Sequence, residues 1–400
     1  MTVDIKPSVP HGTVSAPPSK SMSHRLLIAA GLAEGDSIVR NVSFCDDVKA
    51  TLDCLFSLGA RYEIDGDDVR ITGTSAPSVG EGCVLNCRES GSTMRFFVPI
   101  ALLGGKKTTL CGSKALLSRP FGVYENICRE KGLFFSESKD GITVKGPLPS
   151  GRYTVPGFMS SQFIGGLLFA LPLTDGDSVI EIVPPAVSRP YTELTVDTLS
   201  SFGVSVCRTD ALTIKIKGGV SYRPNDVTVE GDFSNAAFFA ALDTLGGSVK
   251  ITGLNQNSLQ GDKIYTEHFA RLSKGSPDID ICDCPDLAPV LFAVAAAKNG
   301  GTFTGTRRLV FKESDRAECM ARELRKFGAD VTVCTDSVII EPKTPHRPSE
   351  VLFGHNDHRI VMALSVLATF FGGTIDGAEA VNKSCPDFFE KLALLGVDIG

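Results

Sequence analysis

The sequence has no uninterrupted apolar run of about 18 residues, the length a membrane-crossing helix needs. It does not open on a charged segment followed by an apolar stretch, the pattern of a secretory leader. Both absences lead us to expect a cytoplasmic protein with no membrane partner. Neither G-x-G-x-x-G after a strand nor G-x4-G-K-[ST] occurs, which removes support for a nucleotide cofactor. An excess of basic charge is missing too: 40 Lys and Arg stand against 46 Asp and Glu, a net charge of −6 that argues against a nucleic-acid partner. Twelve cysteines are present, but Cys83 and Cys87 form a C-x3-C and Cys282 and Cys284 a C-x-C with no second matching pair. A tetrahedral zinc site is therefore not expected, and reduced thiols are.

What the chain does contain is a repeat. At 400 residues and 42% apolar content it can build two or three cores. One phrase recurs: an apolar helical run, a glycine, then a strand-like run, as in LIAAGLAEGDSIVRNV, FALPLTDGDSVIEIV and LATFFGGTIDGAEAV. Its anchors Gly35, Gly105, Gly176, Gly247, Gly301 and Gly373 are almost evenly spaced except for the shorter interval from Gly247 to Gly301, giving six units with one shortened. A second phrase, a helix closed by glycine and followed by strand residues, is anchored at Gly59, Gly132, Gly203, Gly328 and Gly396, with Gly275 as a weaker copy. In DDVKATLDCLFSLGA the apolar Val48, Leu52, Leu55 and Phe56 fall at helical spacing before Gly59.

Six α/β units suggest a three-plus-three division, with the connector in SYRPNDVTVEGDFS. The first helix already begins near residue 21, so the opening TVDIKPS lacks a partner in its own unit. We expect it to pair with the C-terminal half, which gives one domain of residues 1–17 plus 228–400 and another of 18–227.

Polar residues gather at equivalent helix starts. Before the first helix of each unit stand SKSMSHR, CRESGSTMR, MSSQF, GDFSNAA, CDCPDLAP and GHNDHR; before the second stand CDD, LSRP, VSRPYTE, GDK, FKESDR and NKSCPD. Helix N-termini present unpaired N–H groups and favour anions. The cations Lys20, Arg25, Arg95, Arg119, Arg189, Lys312, Arg316, Arg359 and Lys383 lie at these starts, which points to a ligand with several negative charges, phosphates or carboxylates. Plainer readings compete at each place. Asp286 and Ser314 could simply cap helices, as could Asn356 and Asp357, while His355 and His358 at i and i+3 could suggest a metal for which no third ligand is evident.

SKSMSHR, SGSTMRF, SSQF, SRPYTE, FKESDR and NDHR, in this order, resemble the 5-enolpyruvylshikimate-3-phosphate synthase family of enolpyruvyl transferases, from Lys20 to the closing CPDFFEKL. The resemblance implies an α/β fold of two domains, each an inside-out barrel of three βαβαββ-type units with helices buried and sheets outward, and an active site in the cleft between domains that close on substrate. It implies transfer of the enolpyruvyl group of phosphoenolpyruvate to the 5-hydroxyl of shikimate 3-phosphate by addition and elimination, with release of phosphate. It further implies that Ser21 and Arg25 bind the shikimate carboxylate and that Ser160, Ser161 and Ser188 take the 3-phosphate, with Gln162 and Tyr191 beside them. Lys20, Gly91, Arg119, Gln162, Arg316, Arg359 and Lys383 would bind phosphoenolpyruvate. Asp286 would hold the attacking hydroxyl with help from Lys312, and Glu313 would lie near the carbon that is protonated. The chemistry asks for such a set: protonation makes C2 cationic, the hydroxyl needs a base, and three anionic groups need fixed cations. Lys20 and Glu313 remain alternatives for the acid. No cofactor or metal is implied, and a monomer is expected.

Glu89 and Arg308 depart from the residues many family members carry at their positions. A UDP-N-acetylglucosamine enolpyruvyl transferase would share fold and donor, but it usually carries a reactive cysteine five residues before its loop arginine. Lys114 occupies that place here, and Cys111 lies eight before Arg119. A non-catalytic phosphometabolite-binding protein is the third reading, disfavoured because anion binding gains nothing from carboxylates such as Asp286 and Glu313.

Overall fold

The computed structural model describes residues 1–74 and 82–400. It divides the chain into two compact units, Met1–Pro17 with Gly231–Gly400, and Pro18–Glu230. Each has its own apolar core.

The first helix of each repeat is apolar on nearly every side. Ala288–Ala297 reads APVLFAVAAA, and Ala288 through Ala296 are all buried; Lys20–Leu32 and His358–Phe371 are buried along almost their whole length. A helix hydrophobic all round has no face to give to solvent and must lie inside. The second helices are amphipathic. Tyr265–Lys274 buries Tyr265, His268, Phe269 and Leu272, one stripe at helical spacing. Gly132, with φ +66, ends the helix Gly122–Lys131 in the left-handed conformation that a side chain would disfavour. The strands alternate buried and partly exposed residues, as in Ser178–Val183, so each sheet covers the helices with one face and meets solvent with the other. This is the inside-out arrangement that the resemblance implies.

Each full repeat carries a four-stranded sheet of one plan. In the second, Cys83–Asn86 runs parallel to Thr108–Cys111, which pairs antiparallel with Gly141–Lys145, itself paired with Phe134–Ser138. The third and fifth repeats keep this order. The fourth has only two strands, Ser248–Thr252 and His11–Ser15. It lacks the outer hairpin, which accounts for the short interval from Gly247 to Gly301.

The chain ends complete sheets that the repeats leave unfinished. Thr2–Lys6 pairs antiparallel with Gly373–Asp376 and with Asp398–Ile399, supplying the hairpin places of the sixth sheet. His11–Ser15 immediately precedes the first helix yet belongs to the fourth sheet, and Asp226–Thr228, at the end of the third repeat, lies parallel to Gly35–Arg40 in the first. The first and fourth repeats have exchanged leading strands. For this reason the division falls between Glu230 and Gly231 rather than after residue 227.

Phe292 is fully buried in the helix Ala288–Ala297 and meets Phe303 edge-on, with ring centroids 4.9 Å apart. Phe292→Ala is expected to lower stability in a denaturant titration by about 3–5 kcal/mol, because a rigid core leaves a cavity. A loss below about 1 kcal/mol would show that the surrounding helices collapse into the space.

Candidate active site

In the unit Pro18–Glu230, Ser19 caps the helix Lys20–Leu32 by accepting from the Met22 N–H at 3.4 Å. The cap places Lys20 in the first turn, where its Nζ donates to Asp47 Oδ2 at 3.1 Å; both side chains are nearly buried. Arg25 follows on the same helix. Its Nε donates to Thr195 Oγ1 at 2.9 Å, Nη1 to the Ser21 carbonyl at 2.7 Å and Nη2 to the Tyr191 carbonyl at 3.0 Å, and the Phe96 ring lies 5.3 Å away. All of these partners are neutral. Burial pushes the guanidinium down to about 10, the behaviour of a cation lacking a counter-charge. Ser21, Arg25 and Tyr191 are thus brought together with a surplus of positive charge.

A second group gathers around the helix Gly91–Ala101, capped by Ser90. A Cβ on Gly91 would fall 2.6 Å from Arg119 Nη1 and 3.5 Å from Arg95 Nη1. Glycine therefore lets two guanidinium groups rest against the helix start. Arg95 Nη1 donates to Gln162 Oε1 at 2.7 Å, and Gln162 Nε2 donates to Ser92 Oγ at 2.7 Å, which fixes the amide orientation. Arg95 is further held between Phe121 and Phe163, at 5.6 and 5.2 Å. Ser160 caps the helix Ser161–Ala170 through the Gln162 N–H. Ser188 directly precedes the helix Arg189–Ser201 in a left-handed conformation, φ +54, uncommon for a serine.

In the other unit the groups meet at Asp286. Its Oδ1 accepts from Lys312 Nζ at 3.0 Å and Arg316 Nη1 at 2.8 Å, its Oδ2 from Arg359 Nη2 at 3.3 Å, and its carbonyl from Arg359 Nη1 at 3.2 Å. Arg316, almost wholly buried, also donates to Glu313 Oε2 at 2.5 Å and to both carboxylate oxygens of Asp357, at 2.8 and 3.3 Å. Lys383 Nζ donates to the Asn356 carbonyl at 2.7 Å. Burial alone would push the Asp286 carboxyl up, but Arg359, Lys312 and Arg316 outweigh it and hold it well below the usual carboxylate range. Burial lowers Lys312 despite Asp286 beside it. Asp286, Lys312, Glu313, Arg316 and Arg359 thus form one hydrogen-bonded network.

Several plainer readings do not hold. The helix Ala288–Ala297 has no side-chain cap, and Asp286 lies in the preceding turn with its carboxylate on cations. Asp315, not Ser314, caps the helix Arg316–Lys326; Ser314 Oγ donates to Asp357 Oδ2 instead. Asp357 does cap, accepting from the Arg359 N–H at 3.0 Å, and it pairs with Arg316 as well. His355 Nε2 meets Glu323 Oε1 at 2.8 Å, while His358 is buried at the start of the next helix. Among the described residues no group of three His, Cys, Asp or Glu could hold a metal ion, and all twelve cysteines are free. No helix among those residues is long and apolar enough to cross a membrane.

Two ion-pair partners escape a reading of the sequence: Asp47, which meets Lys20 in one unit, and Asp357, which meets Arg316 in the other as well as capping its helix. A rule would have found both: a cation placed at a buried helix start needs a counter-charge, and the carboxylates at neighbouring helix starts are the nearest source.

Two α/β units with buried helices, each carrying clustered cations and hydroxyls at its helix starts, define the enolpyruvyl-transferase class of fold. An EPSP synthase from Acinetobacter baumannii superimposes with a TM-score of 0.79 at 24% identity, over 100% of this chain and 99% of that one. The enolpyruvyl transferase NikO from Streptomyces tendae gives 0.78 at 16%, over 100% and 98%. The family described as EPSP synthase (3-phosphoshikimate 1-carboxyvinyltransferase) matches residues 6–392. Proteins named 3-phosphoshikimate 1-carboxyvinyltransferase from Clostridium kluyveri and Clostridium acetobutylicum are 39% and 38% identical, each over 99% of this chain and 98% of their own length. The chain belongs to the EPSP synthase family.

Asp357→Asn retains a cap but takes the counter-charge from Arg316. We expect a loss of about 3 kcal/mol, the scale for breaking a buried ion pair on one side, read by denaturant titration. A loss matching that of an ordinary cap variant, within about 0.5 kcal/mol of zero, would show that Asp286 and Glu313 suffice for Arg316.

Proposed function

We propose that this chain transfers the enolpyruvyl group of phosphoenolpyruvate to the 5-hydroxyl of shikimate 3-phosphate and releases inorganic phosphate. The observation that carries the reading beyond family membership is Asp286, a carboxylate ringed by Lys312, Arg316 and Arg359 with Glu313 one hydrogen bond away through Arg316. A protein that only bound anions would gain nothing by placing two carboxylates among its cations.

Roles divide between the units. Ser21 and Arg25 take the shikimate carboxylate, for which the uncompensated charge of Arg25 is suited. Ser160, Ser161 and Ser188 take the 3-phosphate, with Gln162 and Tyr191 alongside; two of these serines stand at the N-terminus of the helix Ser161–Ala170. Lys20, Arg119, Arg316, Arg359 and Lys383 bind the phosphate and carboxylate of phosphoenolpyruvate, with Gly91 leaving room for Arg119. Asp286 takes the proton of the 5-hydroxyl as its oxygen bonds to C2. The acid that protonates C3, Glu313 or Lys20, takes the C3 proton back as the C2–O bond to phosphate breaks, and the hydroxyl proton held by Asp286 passes to the departing phosphate, so the step is balanced without a cofactor.

The cation ring bears on how Asp286 becomes a base. Held well below its ordinary value, its carboxylate is a weak proton acceptor. An incoming phosphate and carboxylate that draw Lys312, Arg316 and Arg359 toward themselves relieve this hold and raise its basicity. Donor binding then switches the base on. The net charge of −6 offers nothing to nucleic acid, and none of the roles requires a second chain or a membrane, in keeping with a cytoplasmic monomer.

Phosphate release from phosphoenolpyruvate, followed with shikimate 3-phosphate and separately with UDP-N-acetylglucosamine, tests the reaction. Release with the first alone is expected, and release with only the second would overturn the reading. For Asp286→Asn, turnover is expected to fall by roughly 10² to 10⁴ at saturating substrates while shikimate 3-phosphate affinity measured by calorimetry changes far less. Near-normal turnover would remove Asp286 from the proton transfer.

A further inference from the structure

One histidine of GHNDHR is held apart from the network around Asp286, yet its turn is tied to one cation of that network, Arg316, and to Lys383. His355 and Asn356 both have left-handed backbones, φ +50 and φ +53, unfavourable for residues with side chains. Something must hold this turn. Its backbone closes by the Asp357 N–H on the Gly354 carbonyl at 2.9 Å, and the Gly354 N–H on the Asp376 carbonyl at 2.8 Å. The side-chain anchor is His355 Nε2 on Glu323 Oε1 at 2.8 Å.

Glu323 is fully buried in the helix that begins with Arg316. It also accepts from Lys326 Nζ at 2.7 Å and from the Phe353 N–H at 3.0 Å. The residue before the turn and the second residue of the turn therefore both hang on one buried carboxylate. Downstream, the Asn356 carbonyl receives Lys383 at 2.7 Å and Asp357 receives Arg316.

We infer that His355 is a positioning residue for the phosphoenolpyruvate end of the site, fixing through Glu323 the turn 354–357 that holds Lys383 and Arg316. This rests on the donor-binding roles proposed above for those two cations. It makes the site sensitive to alkali. The groups facing His355 are Cys319 and Glu323, with Lys326 beyond Glu323 and Asp357 and His358 next on its own segment. The hydrogen bond to Cys319 and then that to Glu323 raise His355 from 6.5 to about 9, against partial burial. With the folded value above the ordinary one, the contribution of the charged pair is full below about 6.5 and is lost as the pH rises through about 9.

Steady-state phosphate release by the full chain, for wild type, His355→Gln and His355→Arg, tests this from neutral pH to about pH 10, across the His355 value. His355→Gln is expected to raise KM for phosphoenolpyruvate roughly tenfold at neutral pH, the size of one charge-assisted hydrogen bond, and KM for shikimate 3-phosphate less than about twofold. Wild type should show its own rise in the donor KM near pH 9; His355→Arg, permanently charged, should keep the wild-type donor KM and lack that rise. A folded His355→Gln with an unchanged donor KM overturns the inference, as does an equal rise in both KM values. Should His355→Gln not fold, a folded His355→Arg that retains the alkaline rise overturns it, and one that lacks the rise supports it. If wild type releases no phosphate with shikimate 3-phosphate, the functional reading fails by itself; calorimetric binding of phosphoenolpyruvate to the same three proteins then decides the role of His355, with equal affinities across them overturning it.

Discussion

A helix buried on every face has only its ends available for polar groups. That constraint governs both units. The helices Lys20–Leu32, Gly91–Ala101, Ser161–Ala170, Ala288–Ala297 and His358–Phe371 bring apolar surface to the cores; serines, lysines and arginines stand at the starts of four of them, and Asp286 lies just before Ala288–Ala297. Unpaired N–H groups at those turns must find acceptors. Ser19, Ser90, Ser160 and Asp357 satisfy them from within the chain, and a bound anion is suited to the remainder. Chemistry concentrates at the helix starts because the packing leaves it nowhere else to go.

The features legible in the sequence are those set by local pattern. The six repeats, the helix starts and the shortened fourth unit each rest on periodicity and glycine placement within the span of one repeat. The exchange of His11–Ser15 and Asp226–Thr228 between the first and fourth sheets was not legible beyond the suspicion that the N-terminus joins the C-terminal half. Strand pairing between segments several repeats apart has no local signature. Either strand would satisfy the parallel edge of either sheet, and only the whole chain path decides. The ion-pair partners were hidden for a related reason. Asp47 and Asp357 look like ordinary helix-start acids, and their second function appears only when Lys20 and Arg316 are seen to be buried beside them.

Residue type alone also could not separate capping from pairing. Asp286, Asp315 and Asp357 all precede helices. Asp315 caps, Asp286 pairs with cations, and Asp357 does both. The difference lies in what surrounds each one. The Asp315 carboxylate bonds to its own helix, whereas Asp357 meets a guanidinium that is almost wholly buried and has five donors to satisfy. A carboxylate that meets two needs at once ties the conformation of a turn to the position of a cation.

Arg25 and the cations around Asp286 are treated in opposite ways. Arg25 has only neutral partners, while in the other unit Lys312, Arg316 and Arg359 are matched by Asp286, Glu313 and Asp357. An anion reaching Arg25 gains a counter-charge that the folded chain does not supply, so attraction there is direct. An anion reaching the other network must compete with carboxylates already bonded to the same cations, so part of its attraction is offset by the bonds it replaces. Under the proposed roles that exchange has a chemical product: as the donor takes the cations, Asp286 loses the charges that kept its proton affinity low. A site of prearranged free cations would bind the donor more tightly yet would leave no carboxylate to receive a proton. The compensated network gives up some ground-state affinity and couples what remains to the appearance of a base, which is where binding energy can lower a barrier.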